Sequence, residues 1–427
     1  MIKTFLKNKI VKNAGWLIGG KVAQMLINLI VGLLTARYLG PSNYGLINYA
    51  AAYTAFFSAF CTLGINSVLV KEFIDRPNEE GMIIGTSLGL RAVSSFLSAV
   101  VIICIVSIAD AGEPTTILVV ALSSIGVVFR VFEVINPWFQ SRLQSKVTAV
   151  VSLAAYAAAA MYKVVLLVMG KGVAWFAFAT SVDYICVGVL LMAAYQKHQG
   201  GRLTFSASYG KDILRRSCHF ILPSLMVAVY GQTDKIMLKH MISDAEIGFY
   251  STAVSLSGVW CFVLAAIIDS LYPSIMEAGN TDERLFIKRN KQLYALIFYI
   301  SVFVSLCFTI FGELAISIMY GQAYLPAAAP LRIITWYTAF SYLGVARNAW
   351  IVSKNRQKYL IFVYASAALS NVLLNLLFIP RWGASGAAAA SLTAQIITTM
   401  VAPFFIKGLR ENSKMMLDAI LLRGIRG

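Results

Sequence analysis

Seven basic side chains lie inside long apolar runs of this 427-residue sequence: Lys21, Arg91, Arg130, Lys163, Lys235, Arg332 and Arg347. Five acidic side chains lie in similar runs: Glu133, Asp183, Asp234, Asp269 and Glu313. A charge at the centre of a bilayer costs roughly 2.5–3.5 kcal/mol, so such groups must face the protein interior or water. The surplus of bases predicts a cationic cavity. Guanidinium groups match phosphate oxygens in two-pronged geometry, so the expected ligand is an anion such as a phosphate.

Depth within the apolar runs separates these residues. Arg91, Lys163 and Asp183 lie about nine, sixteen and ten residues inside their runs, which at ~1.5 Å per residue is too deep to reach a lipid headgroup. Lys21 and Arg332 are close enough to an end of their runs to extend the charge into water. The deep residues are therefore the main candidates for binding.

The interior carboxylates allow two interpretations. Glu133 and Arg130 stand three apart on one helical face, so they either neutralise each other or share in binding. Asp234 has a lysine beside it, but adjacent side chains on a helix do not face each other. We therefore expect Asp183 and Asp234 to play one of two roles. Each either binds H⁺ or Na⁺, or forms an ion pair with a residue of another helix. Asp269 is a further candidate for ion coupling or interior pairing.

The elements that position these charges are membrane helices. The chain is 59% hydrophobic and only 13% charged, with a mean hydropathy of +0.74. Soluble domains carry about 25% charged residues. A membrane span needs about 20 apolar residues. The pattern predicts an all-α integral membrane protein with helices at 14–36, 45–70, 82–109, 115–139, 147–169, 173–195, 217–238, 247–276, 290–319, 329–352, 358–379 and 385–407.

The basic residues outside these twelve helices predict the orientation of the chain. With a cytoplasmic N-terminus, 25 of the 36 lysines and arginines fall in cytoplasmic segments. Four fall in the outer connections: Arg37, Lys171, Lys239 and Arg381. The positive-inside rule therefore predicts that both termini are cytoplasmic. The net charge of +17 is then mostly topological, and nucleic acid is not an expected partner.

A basic connection at about 196–216 divides the chain nearly in half, with six predicted helices on each side. The segments 36–46 and 238–249 correspond in their basic residue, hydrophobic step, polar turn and glycine, which indicates a weak internal repeat. We predict two six-helix lobes, at 1–205 and 206–427, around a central cationic cavity. Parallel repeats of this kind occur in several transporter folds.

Several function classes are excluded by the residues. The connections are too short for a soluble catalytic domain, and function is expected among the helices rather than in an enzyme active site. The three histidines and six cysteines show no metal-ligand spacing. The segment Gly15–Lys21 is not a nucleotide-binding loop, because Val22 replaces the required Ser or Thr and no strand precedes it. We therefore expect no metal, no cofactor and no ATP-driven step within this chain.

Four segments resemble a known family. The first runs from Gly15-Trp16-Leu17 through Ala36-Arg37-Tyr38-Leu39-Gly40-Pro41 to Tyr44-Gly45. The later ones are Thr233-Asp234-Lys235-Ile236-Met237-Leu238 with Gly248-Phe249-Tyr250, then Leu271-Tyr272-Pro273, and then Trp382-Gly383-Ala384-Ser385-Gly386-Ala387-Ala388. In order and spacing, these segments resemble the polysaccharide-synthesis exporters, the Wzx-type oligosaccharide flippases. The resemblance covers essentially the whole chain.

The resemblance implies a bacterial inner-membrane flippase in a superfamily shared with lipid II flippases and multidrug antiporters. The implied substrate is an undecaprenyl-diphosphate-linked oligosaccharide, such as an O-antigen repeat unit of lipopolysaccharide. Alternating access would move it from the cytoplasmic to the periplasmic leaflet, coupled to H⁺, Na⁺ or the membrane potential. Membrane lipid and other glycan-assembly proteins are the further expected partners. The residues expected to shield the diphosphate are Arg91, Lys163, Lys21, Arg130, Lys235 and Arg347, and removing a central cation is expected to stop export without unfolding the protein.

Three alternatives stay open. A multidrug cation antiporter of the same superfamily would need a cavity dominated by acids, whereas bases predominate here. A membrane-embedded glycan polymerase or ligase usually has a large outer loop, and the outer connections are short. A scaffold that transports nothing would pair all of its deep charges, which the surplus of cations disfavours.

Overall fold

A computed structural model describes residues 2–198 and 200–424, with side chains described at 15, 16 and from 19 onward. The described residues form helices and turns, without a β-strand. Backbone N–H and C=O groups in lipid must form their hydrogen bonds within the same segment, so long apolar runs fold as helices. The first helices are α1 (Ile2–Thr62), α2 (Asn66–Asp75), α3 (Glu80–Ala109), α4 (Pro114–Phe129), α5 (Ile135–Ser141), α6 (Ser145–Val168), α7 (Val173–Lys197) and α8 (Ala207–Ser217).

The later part of the chain continues the same pattern. Its helices are α9 (Ile221–Met241), α10 (Asp244–Gly258), α11 (Cys261–Thr281), α12 (Glu283–Tyr320), α13 (Ala328–Ser353), α14 (Leu360–Ile396), α15 (Ala402–Phe405) and α16 (Arg410–Ile420). Two of the long helices are kinked at a glycine. Gly40 in α1 has a φ of 72°, and Gly383 in α14 has a φ of 53°. Glycine occupies this backbone region without the steric cost that a Cβ brings, so each kink divides one long helix into two rods.

Each of the twelve predicted helices overlaps a helix of the structure. Eight helical segments of the described residues are long and apolar enough to cross a membrane, and two of these contain the glycine kinks. The protein is thus an all-helical, multi-pass membrane protein. The predicted cytoplasmic termini depend partly on Lys3, Lys7, Lys9, Lys12 and Arg426, whose side chains lie outside the described residues.

The chain forms two compact units. One comprises the residues up to Leu39 together with Leu46–Ala228, and the other comprises Gly40–Gly45 and Val229–Gly427. The division after Ala228 lies 23 residues beyond the boundary at 205 that the sequence predicts. The connection at 200–206 and helix α8 therefore both belong to the first unit, and α9 begins in it.

Two glycines on α3 allow this connection to pack closely against the helix. A Cβ at Gly81 or Gly85 would collide with the carbonyl oxygen of Arg202 or Thr204. The Thr204 N–H donates to the Gly81 carbonyl at 3.2 Å, and the Ser206 N–H donates to a threonine hydroxyl on α3 at 3.0 Å. The spacing of four residues aligns the glycines on one helical face. The connection therefore lies in a groove along α3.

Helix α8 is held against α2 by a buried carboxylate. Glu72 accepts hydrogen bonds from the Tyr209 hydroxyl, at 3.3 Å, and from the Arg216 guanidinium. Burial raises the pKa of the Tyr209 phenol, and the hydrogen bond to Glu72 raises the pKa of Arg216. The phenol is therefore neutral and the guanidinium charged at physiological pH, which maintains the contact.

We expect Gly85→Leu to displace the connection from α3, since the new side chain would occupy the space of the Thr204 backbone. Overpacking of this kind costs about 1–3 kcal/mol. Limited digestion with trypsin should cleave the variant after Arg202 and release two large fragments, while the wild type resists. Gly172→Leu is the matched control, because its Cβ would meet no atom within 4 Å. Equal resistance of both variants would contradict the groove.

Candidate functional site

Arg91 is at the centre of a charged cluster inside the first unit. Its side chain is 0% exposed. The guanidinium donates to Asn66 Oδ1 and to the Arg130 carbonyl oxygen, each at 3.1 Å, and lies 3.7 Å from Glu133 Oε2. Arg130 lies 3.5 Å from the same carboxylate oxygen. Two cations thus share one carboxylate, which leaves the cluster with a net positive charge.

Arg130 lies where the helix changes from α-helical to 3₁₀ geometry. Residues Arg130–Val134 form a 3₁₀ segment between α4 and α5, and Arg91 binds the carbonyl at its start. The Arg130 guanidinium lies 5.1 Å from the centre of the Tyr184 ring, within the range of a cation–π contact. Helix α7 approaches α4 closely because Gly126 has no side chain, and its N–H donates to the Ser181 hydroxyl at 2.8 Å. The pairing of Arg130 with Glu133 is present, and the Arg130 side chain is 18% exposed.

Lys163 and Asp183 line one cavity of about 170 Å³ in the first unit. Asn28, Tyr156 and Thr180 also line it. Among the described residues, Asp183 Oδ1 is buried without a hydrogen-bond partner, and Lys163 has no hydrogen bond or ion pair. The two charges are thus near each other without direct contact, and a ligand or water is needed to satisfy them.

Asp234 is at the centre of a second cluster, inside the second unit. Its carboxylate is 3% exposed and accepts four hydrogen bonds. The donors are the Tyr250 and Ser391 hydroxyls at 2.5 Å each, and the Asn371 and Asn375 amides at 3.0 and 2.5 Å. The first part of α14 carries the two asparagines and the part after the Gly383 kink carries Ser391.

Among the described residues, the Asp234 carboxylate forms no close ion pair, and Lys235, the next residue, interacts with it electrostatically. No basic nitrogen of the described residues lies within 4.0 Å of the carboxylate. A buried charge is costly unless it is hydrogen-bonded or paired, and a bound cation would add a close counter-charge to the four hydrogen bonds. The carboxylate and the hydroxyl oxygens of Tyr250 and Ser391 are ligands of the kind that a hard monovalent cation such as Na⁺ prefers, whereas the two asparagines direct their amide nitrogens at the carboxylate.

A cavity of about 190 Å³ adjoins Asp234. Hydroxyl and amide side chains line much of it, including four tyrosines: Tyr230, Tyr250, Tyr337 and Tyr342. The cavity provides polar space from which a small hydrated ion could reach the carboxylate.

The remaining predicted residues lie apart from these clusters. Lys21 lines a third cavity, with Gln24 and Gln140. Arg347 is 4% exposed and donates to the Thr399 carbonyl at 3.5 Å. Lys235 is partly buried in α9, and Asp269 is exposed on α11. Arg332 pairs with Glu313 at 3.0 Å on an exposed surface. Lys21, Arg91, Arg130 and Lys163 thus belong to the first unit, and Lys235 and Arg347 to the second.

Sequence reasoning missed four partners of Asp234. Tyr250, Asn371, Asn375 and Ser391 are neutral, and a search for interior charges does not identify them. The available signal was the spacing of Asn371 and Asn375, which places two amides on one face of an otherwise apolar helix.

Comparisons with known proteins agree in fold and family. The family model described as "Polysaccharide biosynthesis protein" matches residues 10–278. The chain is 19% identical over 413 residues to the capsular polysaccharide biosynthesis protein CapF of Staphylococcus aureus, covering 93% of this chain and 99% of that protein.

Solved transporter structures share the fold. The lipid II flippase MurJ in an inward closed conformation superimposes with a TM-score of 0.72 at 13% identity, covering 95% of this chain and 91% of that one. An inward-facing multidrug resistance MATE family transporter of the MOP superfamily superimposes with a TM-score of 0.69 at 14% identity, covering 92% and 96%. At these identities the likeness establishes the fold.

Proposed function

Since the chain belongs to the polysaccharide biosynthesis protein family, we propose that it is a flippase for an undecaprenyl-diphosphate-linked oligosaccharide. It would carry this substrate from the cytoplasmic to the periplasmic leaflet of a bacterial inner membrane by alternating access of two six-helix lobes. Membership of the family confirms the resemblance found in the sequence motifs. The relatives in polysaccharide synthesis and the fold shared with a lipid II flippase support a lipid-linked glycan as cargo.

The single observation that carries the proposal is the surplus of cations inside the first unit. Lys21, Arg91, Arg130 and Lys163 face only Glu133 and Asp183 in the clusters and cavities described above. A diphosphate brings the missing negative charge, and charge-assisted hydrogen bonds to it are about twice as strong as neutral ones. Arg130 and Lys163 are proposed to contact the diphosphate directly, with Arg91 holding Arg130 in position. Lys235 and Arg347 are proposed as further shielding groups of the second unit.

The Asp234 cluster supports coupling to an ion gradient. Binding of H⁺ or Na⁺ to one carboxylate among neutral hydroxyl and amide groups changes the net charge of the cluster by one, which can bias a two-state transporter. Asp183, beside Lys163, is proposed as a second coupling group in the first unit. Glu133 is assigned to interior pairing with the two arginines.

The test is complementation of a flippase-deficient bacterium, with surface glycan as the readout. We expect the wild type to restore glycan and Arg130→Gln to lower export about 10- to 100-fold, the equivalent of losing one charged hydrogen bond of about 1.5–3 kcal/mol. Arg130 is partly exposed, so the variant should remain folded in the membrane. Arg356→Gln, on an exposed loop, is the matched control. Absence of glycan with the wild-type protein present in a matched background would contradict the flippase.

A multidrug cation antiporter is the second candidate, favoured by the cavity beside Asp234. A carboxylate with four tyrosine rings suits a small organic cation through charge and cation–π contacts. The same strains distinguish the two functions. An antiporter lowers the accumulation of a fluorescent cationic dye and leaves surface glycan absent, whereas a flippase restores glycan and leaves dye accumulation unchanged.

A further inference from the structure

Helices α1 and α6 of the first unit enclose two adjoining cavities of opposite character. The two helices are in contact at Gly20 and Ala149, where a Cβ added to Gly20 would lie 3.4 Å from the Ala149 Cβ. Gly20 and Ala149 each line both cavities. One cavity is apolar and the other is polar and basic, so Gly20 and Ala149 form the boundary between two chemically different spaces.

The apolar cavity has a volume of about 450 Å³. Trp16, Val150 and Leu153 line it. A Cβ added to Gly15 or Gly19 would meet no atom within 4 Å. Because glycine has no side chain, the space beside these two residues is empty. None of its described lining residues is charged. Lys146 lies at its edge, with the ammonium 4.8 Å from the centre of the Trp16 ring.

The polar cavity has a volume of about 270 Å³. Lys21 is the charged residue that lines it, accompanied by the amides of Gln24, Asn136 and Gln140 and by hydroxyl side chains. The Lys21 ammonium and the amide N–H groups of Gln24 and Gln140 supply hydrogen-bond donors, and the described lining residues include no carboxylate. This lining suits a polar, anionic ligand.

We propose that the two cavities together bind the lipid carrier of the substrate at a first position, with the isoprenoid chain in the apolar cavity and the phosphate at Lys21, before the diphosphate reaches Arg130 and Lys163. An amphiphile with an anionic head needs an apolar space directly joined to a basic one, and the Gly20–Ala149 boundary provides that junction. Transfer of the chain into the apolar cavity is favourable in the same way as other apolar burial. The inference rests on the proposed function and adds to it a location for the carrier.

The experiment uses the full chain in nanodiscs of phosphatidylcholine and a polyprenyl diphosphate with a photoreactive group in its chain. We expect the probe to label peptides of α1 and α6. Gly19→Leu fills the apolar cavity and should weaken the binding of both polyprenyl diphosphate and polyprenol about tenfold, the equivalent of 1.4 kcal/mol. Lys21→Gln should weaken the binding of polyprenyl diphosphate and leave the binding of polyprenol unchanged. Leucine has a higher helix propensity than glycine, so Gly19→Leu should fold normally.

Lys171→Gln is the matched control for the loss of a lysine charge, because Lys171 lines neither of the two cavities. Wild-type binding by both cavity variants, labelling elsewhere, or equal competition by phosphatidylglycerol would overturn the carrier site. If the carrier site fails in this way but the wild type still restores surface glycan, the proposed function is retained and only the carrier site is rejected. If the wild type neither binds a polyprenyl probe nor restores glycan, the proposed function itself fails.

Discussion

Replacing Asp234 with asparagine is expected to abolish the dependence of export on an ion gradient. The wild-type carboxylate is buried among four neutral donors and forms no close ion pair among the described residues, so we propose that it exchanges H⁺ or Na⁺ during transport. Asparagine has nearly the same shape but no charge. We expect cation affinity to fall about 10- to 100-fold, from the loss of one charged interaction of about 1.5–3 kcal/mol.

The measurement is transport of a lipid-linked glycan in proteoliposomes with defined H⁺ and Na⁺ gradients, together with binding of radioactive Na⁺ to the purified protein. Wild-type transport should respond to one gradient, and Asp234→Asn should respond to neither. Glu277→Gln, an exposed carboxylate on α11, is the matched control and should behave as the wild type. Gradient-dependent transport by Asp234→Asn would remove this carboxylate from the coupling mechanism.

Asp234→Ala is expected to destabilise the second unit as well. It leaves four buried donors without an acceptor, at a cost of about 1–3 kcal/mol for each donor that finds no substitute. A lower melting temperature for Asp234→Ala than for Asp234→Asn would separate the structural contribution of the carboxylate from its charge.

Arg91→Ala is expected to stop export by unfolding the first unit. The sequence alone predicts loss of export with the protein intact, but the structure changes this expectation, because Arg91 is completely buried and binds Asn66, the Arg130 carbonyl and Glu133. Removing one partner of a buried pair costs about 3–5 kcal/mol. Folded protein in the membrane should fall together with export, as measured by thermal denaturation in detergent.

Arg91→Lys provides the comparison. A lysine keeps the charge but cannot replace the planar guanidinium that binds an amide and a carbonyl at once. We expect partial recovery of folded protein and weaker recovery of export, because Arg130 is then poorly held. Full stability of Arg91→Ala, with export lost, would instead indicate that Arg91 contacts the substrate directly.

The helices were predictable because their signal is local. A run of about 20 apolar residues crosses a membrane whatever its neighbours are, so all twelve predicted segments overlap observed helices. The pairing of Arg130 with Glu133 was predictable for the same reason, since residues three apart face each other. The 3₁₀ segment at these residues also has a local cause, because Pro137 has no N–H to donate to the Glu133 carbonyl four residues before it.

The clusters were predictable only in part. Interior charges stand out in an apolar sequence because each has a large insertion cost, which identified Arg91, Lys163, Asp183 and Asp234. Their neutral partners have no such cost and were missed, although Asn371, Asn375 and Ser391 decide what Asp234 can bind. The compact units divide after Ala228, beyond the predicted boundary at 205, because α3 binds a connection whose polar sequence is typical of a linker.

The sequence by itself determined the class of molecule, its membrane helices, its family and its surplus of interior cations. These properties follow from composition, hydropathy and short motifs, which do not depend on which helix packs against which. Only the tertiary structure decided the role of each charge, because partners such as Arg91 and Asn66, or Asp234 and Ser391, are 25 and 157 residues apart. Whether a buried charge is paired, shared or unbalanced depends on these distant partners.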